Sequence, residues 1–413
     1  MKTQEKTAGT GVFFTKAVGI AAEYNPFHIG HARQIEAIRA EFGEDTPVVA
    51  VLSGDFVQRG EAACFSKFAR AEAAVRSGVS LVLELPLPWC LSSAEGFARG
   101  AAGLLQATGA IGVLSFGSEC ADLNSLKRCA AALESDEFPG LLRERLAGGA
   151  PFAAAREKAV ADMIGSGDAE CLRRPNDLLA VEYIRATRDK MEFFPVARSG
   201  SVHDGPGSAS ELRTAMSAGE EWLFSVPAPA GEVFAREMEM GRGPVTEESL
   251  NTALLSRLRD RSEEDFALLP DAAEGLEHKL YRASQELLSP GEIAMAAKSR
   301  RYALSRLRRM VLCAALGVRK GMADGFPPYL RVLATDEKGT ALLRQMRRSA
   351  VLPVITKSAH ILREDERARS VFDLGSRAHD LFVLGYGDPA RRGGGEDYRF
   401  TPFVAEGKAS GAE

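Results

Sequence analysis

The chain has 413 residues, of which 45% are hydrophobic and 26% are charged, and this composition excludes a disordered or membrane-embedded protein. Its length allows two or three domains of ordinary size, at least one of them with a substantial core. Because the formal net charge is -4, binding to nucleic acid would require a local basic surface.

The N-terminal half alternates short apolar runs with amphipathic segments, after an extension at residues 1–16 that lacks the apolar stretch of a signal peptide. Buried strands are predicted at residues 17–22, 48–52, 81–85, 112–116 and 193–197, and helices at 31–42, 66–77, 92–108 and from about Ser210. This alternation predicts a Rossmann-like, doubly wound parallel α/β sheet with right-handed crossovers. We predict that it forms one catalytic domain over residues 17–215.

The C-terminal half has a different pattern, because mostly helical segments follow Met216. We predict a mostly helical domain over residues 216–390, in which the runs YLRVLAT and LPVIT pair as a small β element. The glycine-rich, charged tail at residues 391–413 is predicted to be flexible. No apolar run reaches the ~20 residues that cross a bilayer, so we expect a cytoplasmic protein without membrane contacts.

The cysteines are scattered and include no Cys-x-x-Cys pair, which favours buried reduced thiols over a disulfide framework or a zinc site. They are Cys64, Cys90, Cys120, Cys129, Cys171 and Cys313. We therefore predict no metal-binding residues.

The turn EYNPFHIGHARQ, residues 23–34, follows the first predicted strand and carries the clearest chemical signal. Its Asn-Pro pair turns the chain out of the strand, and Gly30 permits close backbone approach where the next helix starts. His28 and His31 then flank a helix N-terminus, whose N–H groups and dipole favour an anion. Imidazoles here would donate hydrogen bonds to phosphate oxygens and stabilise charge that develops during attack on an α-phosphate.

The alternative for so short a motif is two surface histidines beside an ordinary turn. The position of the turn favours phosphate binding, because ligands of doubly wound sheets bind at the carboxyl ends of strands. No Walker lysine is present, which argues against P-loop-type binding of the β- and γ-phosphates.

Several motifs resemble those of one enzyme family. The tetrapeptide His-Ile-Gly-His at residues 28–31, placed after a strand, resembles the signature of the HIGH nucleotidyltransferase superfamily. Members of that superfamily catalyse attack on the α-phosphate of a nucleoside triphosphate. A wider set, in the family's order, resembles the bacterial tRNA(Met) cytidine acetate ligases. The motifs are EYNPFHIGH, SGDFVQRGEAACFSKFARAEAAVRSGVSLVLELP, SAEGFARGA, LSFGSE, PNDLLAVEYI and SASELR, with weaker similarity through AKSRRYALSRLRRM, PPYLRVL and PVITK. Ile29 departs from the family, which commonly has Asn there.

The resemblance implies an enzyme that forms acetyl-adenylate from acetate and ATP, then acetylates the N4 amine of the wobble cytidine in the anticodon of elongator tRNA(Met). It also implies that ATP contacts the first turn and three later positions. These predicted ATP-binding residues are Ala21, Ala22, Glu23, Tyr24, Asn25, Pro26, Phe27, His28, Ile29, Gly30, His31, Ala32, Arg33, Gln34, Gly117, Asn176 and Arg198. ATP is expected as a substrate with Mg²⁺, and neither a tightly bound prosthetic group nor an obligate protein partner is expected.

The three later positions also have structural interpretations. Gly117 would suit a plain turn, and Asn176 would suit a helix N-cap before the run DLLAVEYI. Arg198, at the end of the last strand, suits stacking on a base or pairing with phosphate.

Polar residues after the second strand are predicted to share a sheet edge with the histidines. Asp55, Gln58 and Arg59 would position acetate or the attacking amine, because sites are built from loops at strand ends. Alternatively, Asp55 caps a turn and Arg59 pairs with Glu61. The predicted catalytic residues are His28, His31 and Asp55.

Two further basic residues, Lys67 and Arg70, share one face of the following helix. They would neutralise triphosphate or RNA charge, or they would simply meet solvent.

The clearest basic run spans residues 298–320 and contains no acid. We predict a helix that follows a tRNA backbone, with Tyr302 available to stack on a base. Its predicted tRNA-binding residues are Lys298, Arg300, Arg301, Arg308 and Arg309. The alternative is a solvated basic face on an amphipathic helix, whose apolar stripe would include Leu304, Leu307 and Val311.

Two other functions remain open from the sequence. A small-molecule adenylyl- or cytidylyltransferase would explain the N-terminal half but not the basic segment. A nonenzymatic RNA-binding protein on the same scaffold would explain the basic segment but not the intact His-x-Gly-His turn.

Overall fold

The computed structural model describes residues 17–188, 190–198 and 208–406. The predicted extension at residues 1–16 and the last seven residues of the predicted tail lie outside the described residues. Among the described residues, no helix is long and apolar enough to span a membrane.

One large sheet organises the molecule. Its strands are β1 (Ala17–Ala22), β2 (Val48–Ser53), β5 (Leu81–Leu85), β6 (Ile111–Ser118), β7 (Glu192–Ala197), β8 (Leu330–Thr335), β9 (Val354–Ile355) and β10 (Phe403–Val404), and a separate hairpin joins β3 (Phe56–Val57) to β4 (Glu61–Ala62). The main order is β10-β8-β5-β2-β1-β6-β7, with β9 beside β8. All pairings in the sheet are parallel except that of β5 with β8. The predicted doubly wound, largely parallel sheet is confirmed.

Helices surround this sheet and fill the C-terminal half. They are α1 (Ile29–Phe42), α2 (Lys67–Arg76), α3 (Ala94–Ala107), α4 (Leu123–Glu134), α5 (Phe138–Ala147), α6 (Phe152–Ile164), α7 (Ser166–Ala169), α8 (Pro175–Thr187), α9 (Ala209–Ala218), α10 (Ala228–Glu239), α11 (Glu247–Arg259), α12 (Glu263–Ala267), α13 (Leu276–Glu286), α14 (Pro290–Ala297), α15 (Leu304–Leu316), α16 (Glu337–Ser349), α17 (Glu366–Phe382) and α18 (Glu396–Arg399).

The central strands are mostly apolar because both faces of the sheet are covered. In β2, Val49 and Val51 pack into one core, whereas Val48, Ala50 and Leu52 pack into the core on the opposite face. Side chains alternate across a strand, so a strand buried on both faces needs a continuous apolar run. This pattern is the physical reason that the sequence revealed these strands.

The sheet continues into the C-terminal half of the chain. The run YLRVLAT contributes β8, which pairs with β9 as predicted, through Leu330 with Val354. β8 also pairs antiparallel with β5, and all six of its residues are buried. The main sheet therefore extends across the predicted domain boundary at 215/216.

The described part of the predicted flexible tail is anchored to the rest of the protein, through the pairing of β10 with β8 and through the buried side chain of Asp397, which corrects the prediction for this part. Asp397 in α18 is fully buried and pairs with Lys67 at 2.9 Å and with Arg331 of β8. The opposite side of the cluster is Glu84 of β5, whose two carboxylate oxygens lie 2.8 Å from Lys67 and 2.8 Å from Arg331. Buried charges persist only when paired, so the tail is bound by a four-residue ion cluster.

The basic run at residues 298–320 is not one helix, contrary to prediction. α14 ends at Ala297 and α15 begins at Leu304, and Lys298 already has extended backbone. The two helices pack against one another. Consecutive packed helices require a turn, so the residues between them form an exposed connection that carries Lys298, Arg300 and Arg301.

Candidate active site

The turn between β1 and α1 is built by two histidines that cap the helix together. His28 is the N-cap residue, and its Nδ1 accepts the backbone N–H of Gly30 at 3.0 Å. His31 Nδ1 accepts the backbone N–H of His28 at 3.2 Å, which completes a reciprocal capping box. The ring centroids lie only 3.9 Å apart. A Cβ on Gly30 would lie 2.7 Å from the His28 ring, which accounts for glycine there.

This capping defines the protonation of both imidazoles. Each Nδ1 accepts a backbone N–H, so in the neutral ring the proton resides on Nε2. Burial, followed by the charges of Arg198 and Arg213, lowers the pKa of His28 to about 4. Burial and the neighbouring His28 hold the pKa of His31 well below its ordinary value. Both histidines are therefore neutral Nε2–H donors at neutral pH.

Neighbouring groups fix the turn in place. Tyr24 has a left-handed backbone (φ 44°) and is buried, with its ring centroid 4.8 Å from both Phe27 and His31. The Asn25 side chain accepts the Cys64 N–H at 2.7 Å, and the Asn25 carbonyl accepts a hydrogen bond from Arg213 at 2.9 Å. Several contacts of this kind together are needed to hold a non-glycine residue such as Tyr24 at a positive φ.

The three predicted nucleotide residues outside the turn come together beside it. Gly117 in β6 pairs with Val196 in β7, and Arg198 follows that strand immediately. The Arg198 side chain crosses Gly117, where a Cβ would lie 3.3 Å from its methylenes. Arg198 donates to the Asn176 side-chain oxygen at 3.0 Å. Gly117 is therefore more than a turn glycine, because it leaves room for the arginine.

The N-cap interpretation of Asn176 is wrong, since Asn176 is the second residue of α8 and Arg174 precedes the helix as N-cap. Glu119 satisfies the helix end instead. Its carboxylate accepts the backbone N–H groups of Asn176 (3.3 Å) and Asp177 (2.9 Å) and the Asn176 side-chain amide (2.6 Å). Glu119 thus orients Asn176 toward Arg198, and its place in the motif FGSE was the signal that sequence reasoning passed over.

Asp177 anchors the same loop and was also missed. One of its oxygens accepts the Ser118 hydroxyl at 2.5 Å and the Glu119 N–H at 2.8 Å, and the other accepts the Cys120 N–H at 3.1 Å. The Cys120 and Cys171 sulfurs lie 3.8 Å apart next to it, the one metal-ligand-type cluster among the described residues. The Asp177 oxygens are already occupied by protein donors, which fits a loop anchor.

Comparisons with known proteins decide the family. The model of the HIGH nucleotidyl transferase family matches residues 15–397. The chain belongs to the HIGH nucleotidyl transferase family. The resemblance to the tRNA(Met) cytidine acetate ligases is confirmed within it. A protein of that name from Thermoanaerobacter is 34% identical over 385 residues, covering 89% of this chain and 95% of the relative. The protein of that name from Thermotoga maritima is 33% identical, covering 92% of this chain and 98% of the relative.

Solved structures agree with these relatives. The crystal structure of Thermotoga maritima TmcAL bound with alpha-thio ATP matches with a TM-score of 0.88 and 33% identity, over 94% of this chain and 99% of that one. The apo form of the same protein matches with a TM-score of 0.89 and 32% identity, over the same shares.

The geometry argues against the predicted catalytic role of Asp55. Its carboxylate is buried, with one oxygen accepting the Lys67 N–H at 2.7 Å and the other lying 2.9 Å from His379 Nδ1. Burial alone would raise the pKa of Asp55, but His379 and then Lys67 lower it. Asp55 therefore accepts a backbone hydrogen bond at the start of α2 and binds His379 of α17. This arrangement agrees with the structural alternative, in which Asp55 caps a turn, and adds a partner that is distant in sequence.

Lys67 and Arg70 are buried as well, so neither alternative proposed for them from sequence holds. The Arg70 guanidinium donates to four backbone carbonyls, those of Phe65 (2.9 Å), Glu23 (2.5 Å), Ser53 (3.1 Å) and Gly54. It thereby joins the carboxyl ends of β1 and β2. Its role is to fix the strand ends from which the site projects.

Glu23, Gln58 and Glu61 connect this region to the C-terminal half. The Gln58 N–H donates to Glu23 at 2.7 Å, and burial raises the pKa of Glu23. The Gln58 carbonyl accepts from Arg309 at 3.2 Å, and Glu61 pairs with Arg308 at 2.9 Å. The hairpin of β3 and β4 is therefore attached to α15.

The predicted tRNA-binding residues divide into two groups. Lys298, Arg300 and Arg301 are exposed in the connection before α15. Arg309 is 9% exposed and Arg308 is engaged with Glu61, so both arginines are directed toward the nucleotide-binding half. The buried position of Arg309 argues against its predicted contact with a phosphate backbone.

The buried residue His379, in α17, gives rise to a pH dependence of stability. Burial alone would lower its pKa, but Asp55 and Glu396 on its two nitrogens raise it to about 10. In the unfolded chain the pKa returns to about 6.5. Its contribution to the free energy of unfolding is thus complete below about pH 6.5 and is lost as the pH rises through about 10.

Urea unfolding of the wild type and of His379→Gln between pH 6 and 10 measures this contribution. The difference in unfolding free energy between the two proteins should be largest at pH 6 and shrink as the pH rises. The matched control is His278→Gln, which removes a histidine exposed on α13 and paired with Glu263. A difference between wild type and His379→Gln that does not change with pH would contradict the assignment.

Proposed function

We propose that this chain is an ATP-dependent acetate ligase that acetylates the N4 amine of the wobble cytidine in elongator tRNA(Met). The observation that carries the proposal is the pair of neutral histidines at the start of α1, with Arg198 and Arg213 beside them. Two uncharged N–H donors, two cations and a helix N-terminus form an electropositive site for phosphate. The relatives named tRNA(Met) cytidine acetate ligase and the TmcAL structure with alpha-thio ATP support this substrate class.

In the first step, a carboxylate oxygen of acetate attacks the α-phosphorus of ATP and pyrophosphate leaves. Negative charge increases on the α-phosphate oxygens in the transition state. His28 and His31 donate to these oxygens through Nε2, and because they are neutral before and after the step, no proton has to be moved. The residues proposed to contact ATP are those at positions 21–34 together with Gly117, Asn176 and Arg198.

In the second step, the cytosine N4 amine attacks the acetyl carbonyl, the bond from that carbon to the phosphate oxygen breaks, and AMP leaves as the amine gives up a proton. Activation is necessary because oxide is a very poor leaving group from acetate, whereas AMP is a good one. The mixed anhydride must be kept from water until RNA arrives.

Mg²⁺ is proposed to accompany the phosphates of ATP. The acidic side chains nearest the turn are already engaged, since Glu23 accepts the Gln58 N–H and Glu119 caps α8. A magnesium ion that keeps several waters and binds phosphate oxygens fits this arrangement better than an all-protein cage. It would supply charge neutralisation on the departing pyrophosphate.

A basic groove is proposed to hold the tRNA. Lys298, Arg300 and Arg301 line it on one side, and Phe152 at the start of α6, 54% exposed, lines it on the other. Cations for the phosphates and an exposed ring for a base are what a single-stranded loop requires. Tyr302 is less suited to stacking than predicted, because Arg306 lies over its ring and its hydroxyl donates to Glu274. A cytoplasmic location, where tRNA and ATP meet, fits this reaction.

The direct test incubates the purified protein with ATP, labelled acetate and tRNA, followed by digestion of the RNA to nucleosides. We expect label in N4-acetylcytidine, with one AMP and one pyrophosphate formed for each acetyl group transferred. Adenylyl transfer to a small molecule with unlabelled RNA would instead establish a small-molecule transferase. Retention of RNA without ATP turnover would establish a binding protein.

The substitution His31→Ala should reduce acetate-dependent ATP–pyrophosphate exchange by about 100-fold or more, since one preorganised donor to transition-state charge contributes that much. Retention of tRNA should stay within about twofold of wild type, because the basic groove is built by other residues. Glu36→Ala is the matched control, since Glu36 is exposed on the same helix. Unchanged exchange in His31→Ala would refute the role assigned to this imidazole.

The combined substitutions Lys298→Glu, Arg300→Glu and Arg301→Glu should weaken tRNA binding and reduce its salt dependence by about one unit of slope per lost phosphate contact. Exchange of pyrophosphate into ATP should persist. The control reverses Arg347 and Arg348, which are exposed on α16. Equal losses of tRNA affinity in both variants would contradict the proposed groove, because they would show that only the net charge of the protein affects binding.

A further inference from the structure

A cavity of about 140 Å³ lies where the β3–β4 hairpin meets α9, α11 and α15. Its apolar wall consists of Met216, Val245, Leu250, Leu254, Val311 and Leu312. Its polar lining comprises Glu61, Arg213, Ser217, Thr246, Glu247 and Arg308. The cavity therefore combines an apolar body with a few converging charged groups, which is the usual composition of a small-ligand site.

The size of the cavity suits a single ring. An apolar cavity of about 150 Å³ in a protein core holds one benzene molecule. A six-membered pyrimidine ring is therefore of a size that this cavity holds.

The polar side of the cavity suits one pyrimidine in particular. Glu61 is held between Arg308 at 2.9 Å and Arg213 at 3.4 Å, which fixes its carboxylate at the wall. A carboxylate accepts hydrogen bonds, and the exocyclic N4 amine of cytosine is the group that donates them. Uracil presents a carbonyl oxygen at the same position and would be repelled.

The cavity borders the adenylation turn through one residue. Arg213 lines the cavity, donates to the Asn25 carbonyl within the turn at 2.9 Å, and is one of the two cations that lower the pKa of His28. The Arg213 side chain therefore connects the cavity to the turn that carries the histidines. The mouth is open to solvent, because the Glu61, Arg213 and Arg308 side chains are 23–33% exposed.

We propose that this cavity receives the target cytosine, flipped out of the anticodon loop, with its N4 amine on the Glu61 carboxylate. The inference rests on the proposed function and adds the binding site of the base that is modified. Enzymes that modify a base extrude it into a fitted pocket and recognise its hydrogen-bonding edge. Here Glu61 recognises the amine that reacts and directs it toward the turn that carries the acetyl-adenylate.

The substitution Ser217→Trp tests the site by filling its mouth. Ser217 lines the cavity but is itself exposed on α9, so a larger side chain there does not disturb the core. Formation of N4-acetylcytidine should fall more than about tenfold, and acetate-dependent ATP–pyrophosphate exchange should stay within about twofold. The matched control is Thr214→Trp, which places the same bulk on the same helix at an exposed residue outside the cavity lining.

The outcomes separate the two proposals. Equal acetylation by Ser217→Trp and Thr214→Trp would overturn the cavity assignment and leave the ligase intact. Absence of N4-acetylcytidine with the wild-type protein would overturn the proposed function, and the cytosine site with it.

A second measurement locates the base directly on the wild-type protein. An anticodon stem-loop RNA that carries 5-iodocytidine at the target position is bound and irradiated, and the crosslinked peptide is identified by mass spectrometry. We expect adducts on residues of the cavity wall such as Met216 or Val245. Adducts confined to residues outside the cavity wall would contradict the proposal.

Discussion

The site depends on the exchange of hydrogen bonds by which His28 and His31 cap α1. An N-cap serine would satisfy the same backbone groups, but it would leave no second polar atom for chemistry. An imidazole uses one nitrogen for the helix and presents the other as an N–H donor. The same two side chains thus form the helix start and make the proposed contacts with phosphate. Burial lowers the pKa of both rings, and a protonated ring would also lose the acceptor nitrogen that it contributes to the capping box.

The rigidity of this turn comes from parts of the chain that are distant in sequence. Arg70 joins the ends of β1 and β2 through backbone carbonyls, and the N-terminus of its helix is fixed by Asp55. Asp55 in turn depends on His379, more than 300 residues later. The Glu84–Lys67–Arg331–Asp397 cluster secures the same region from the opposite side. Breaking a buried pair of this kind leaves an uncompensated charge, so the C-terminal segment is part of the support of the site.

Features that depend on a few neighbouring residues could be predicted from the sequence. Features that depend on contacts between distant residues could not. The buried strands and the His-x-Gly-His turn were readable because apolar runs, Asn-Pro and Gly30 act within a few residues. Asp55 and Lys67 were misjudged because polar residues close to the end of a strand look functional until their partners, His379 and Asp397, are placed beside them. The same limitation explains β8, whose apolar run indicated a strand without indicating which sheet it joins. The division of the basic run depended on how α14 packs on α15, which periodicity alone does not reveal.

The arrangement around β1 suggests why one fold serves a two-step reaction. On the β6 side, Gly117, Asn176 and Arg198 form the proposed nucleotide contacts, held by Glu119. On the β2 side, the hairpin that carries Glu61 faces the C-terminal helices and encloses the cavity. The histidine turn lies between them because β1 is the strand between β2 and β6. In the proposed second step the acetyl carbonyl lies between AMP and the attacking amine, so a central turn flanked by two pockets matches the order of the chemistry. Arg213, in contact with both the turn and Glu61, couples the position of the second pocket to the electrostatics of the first.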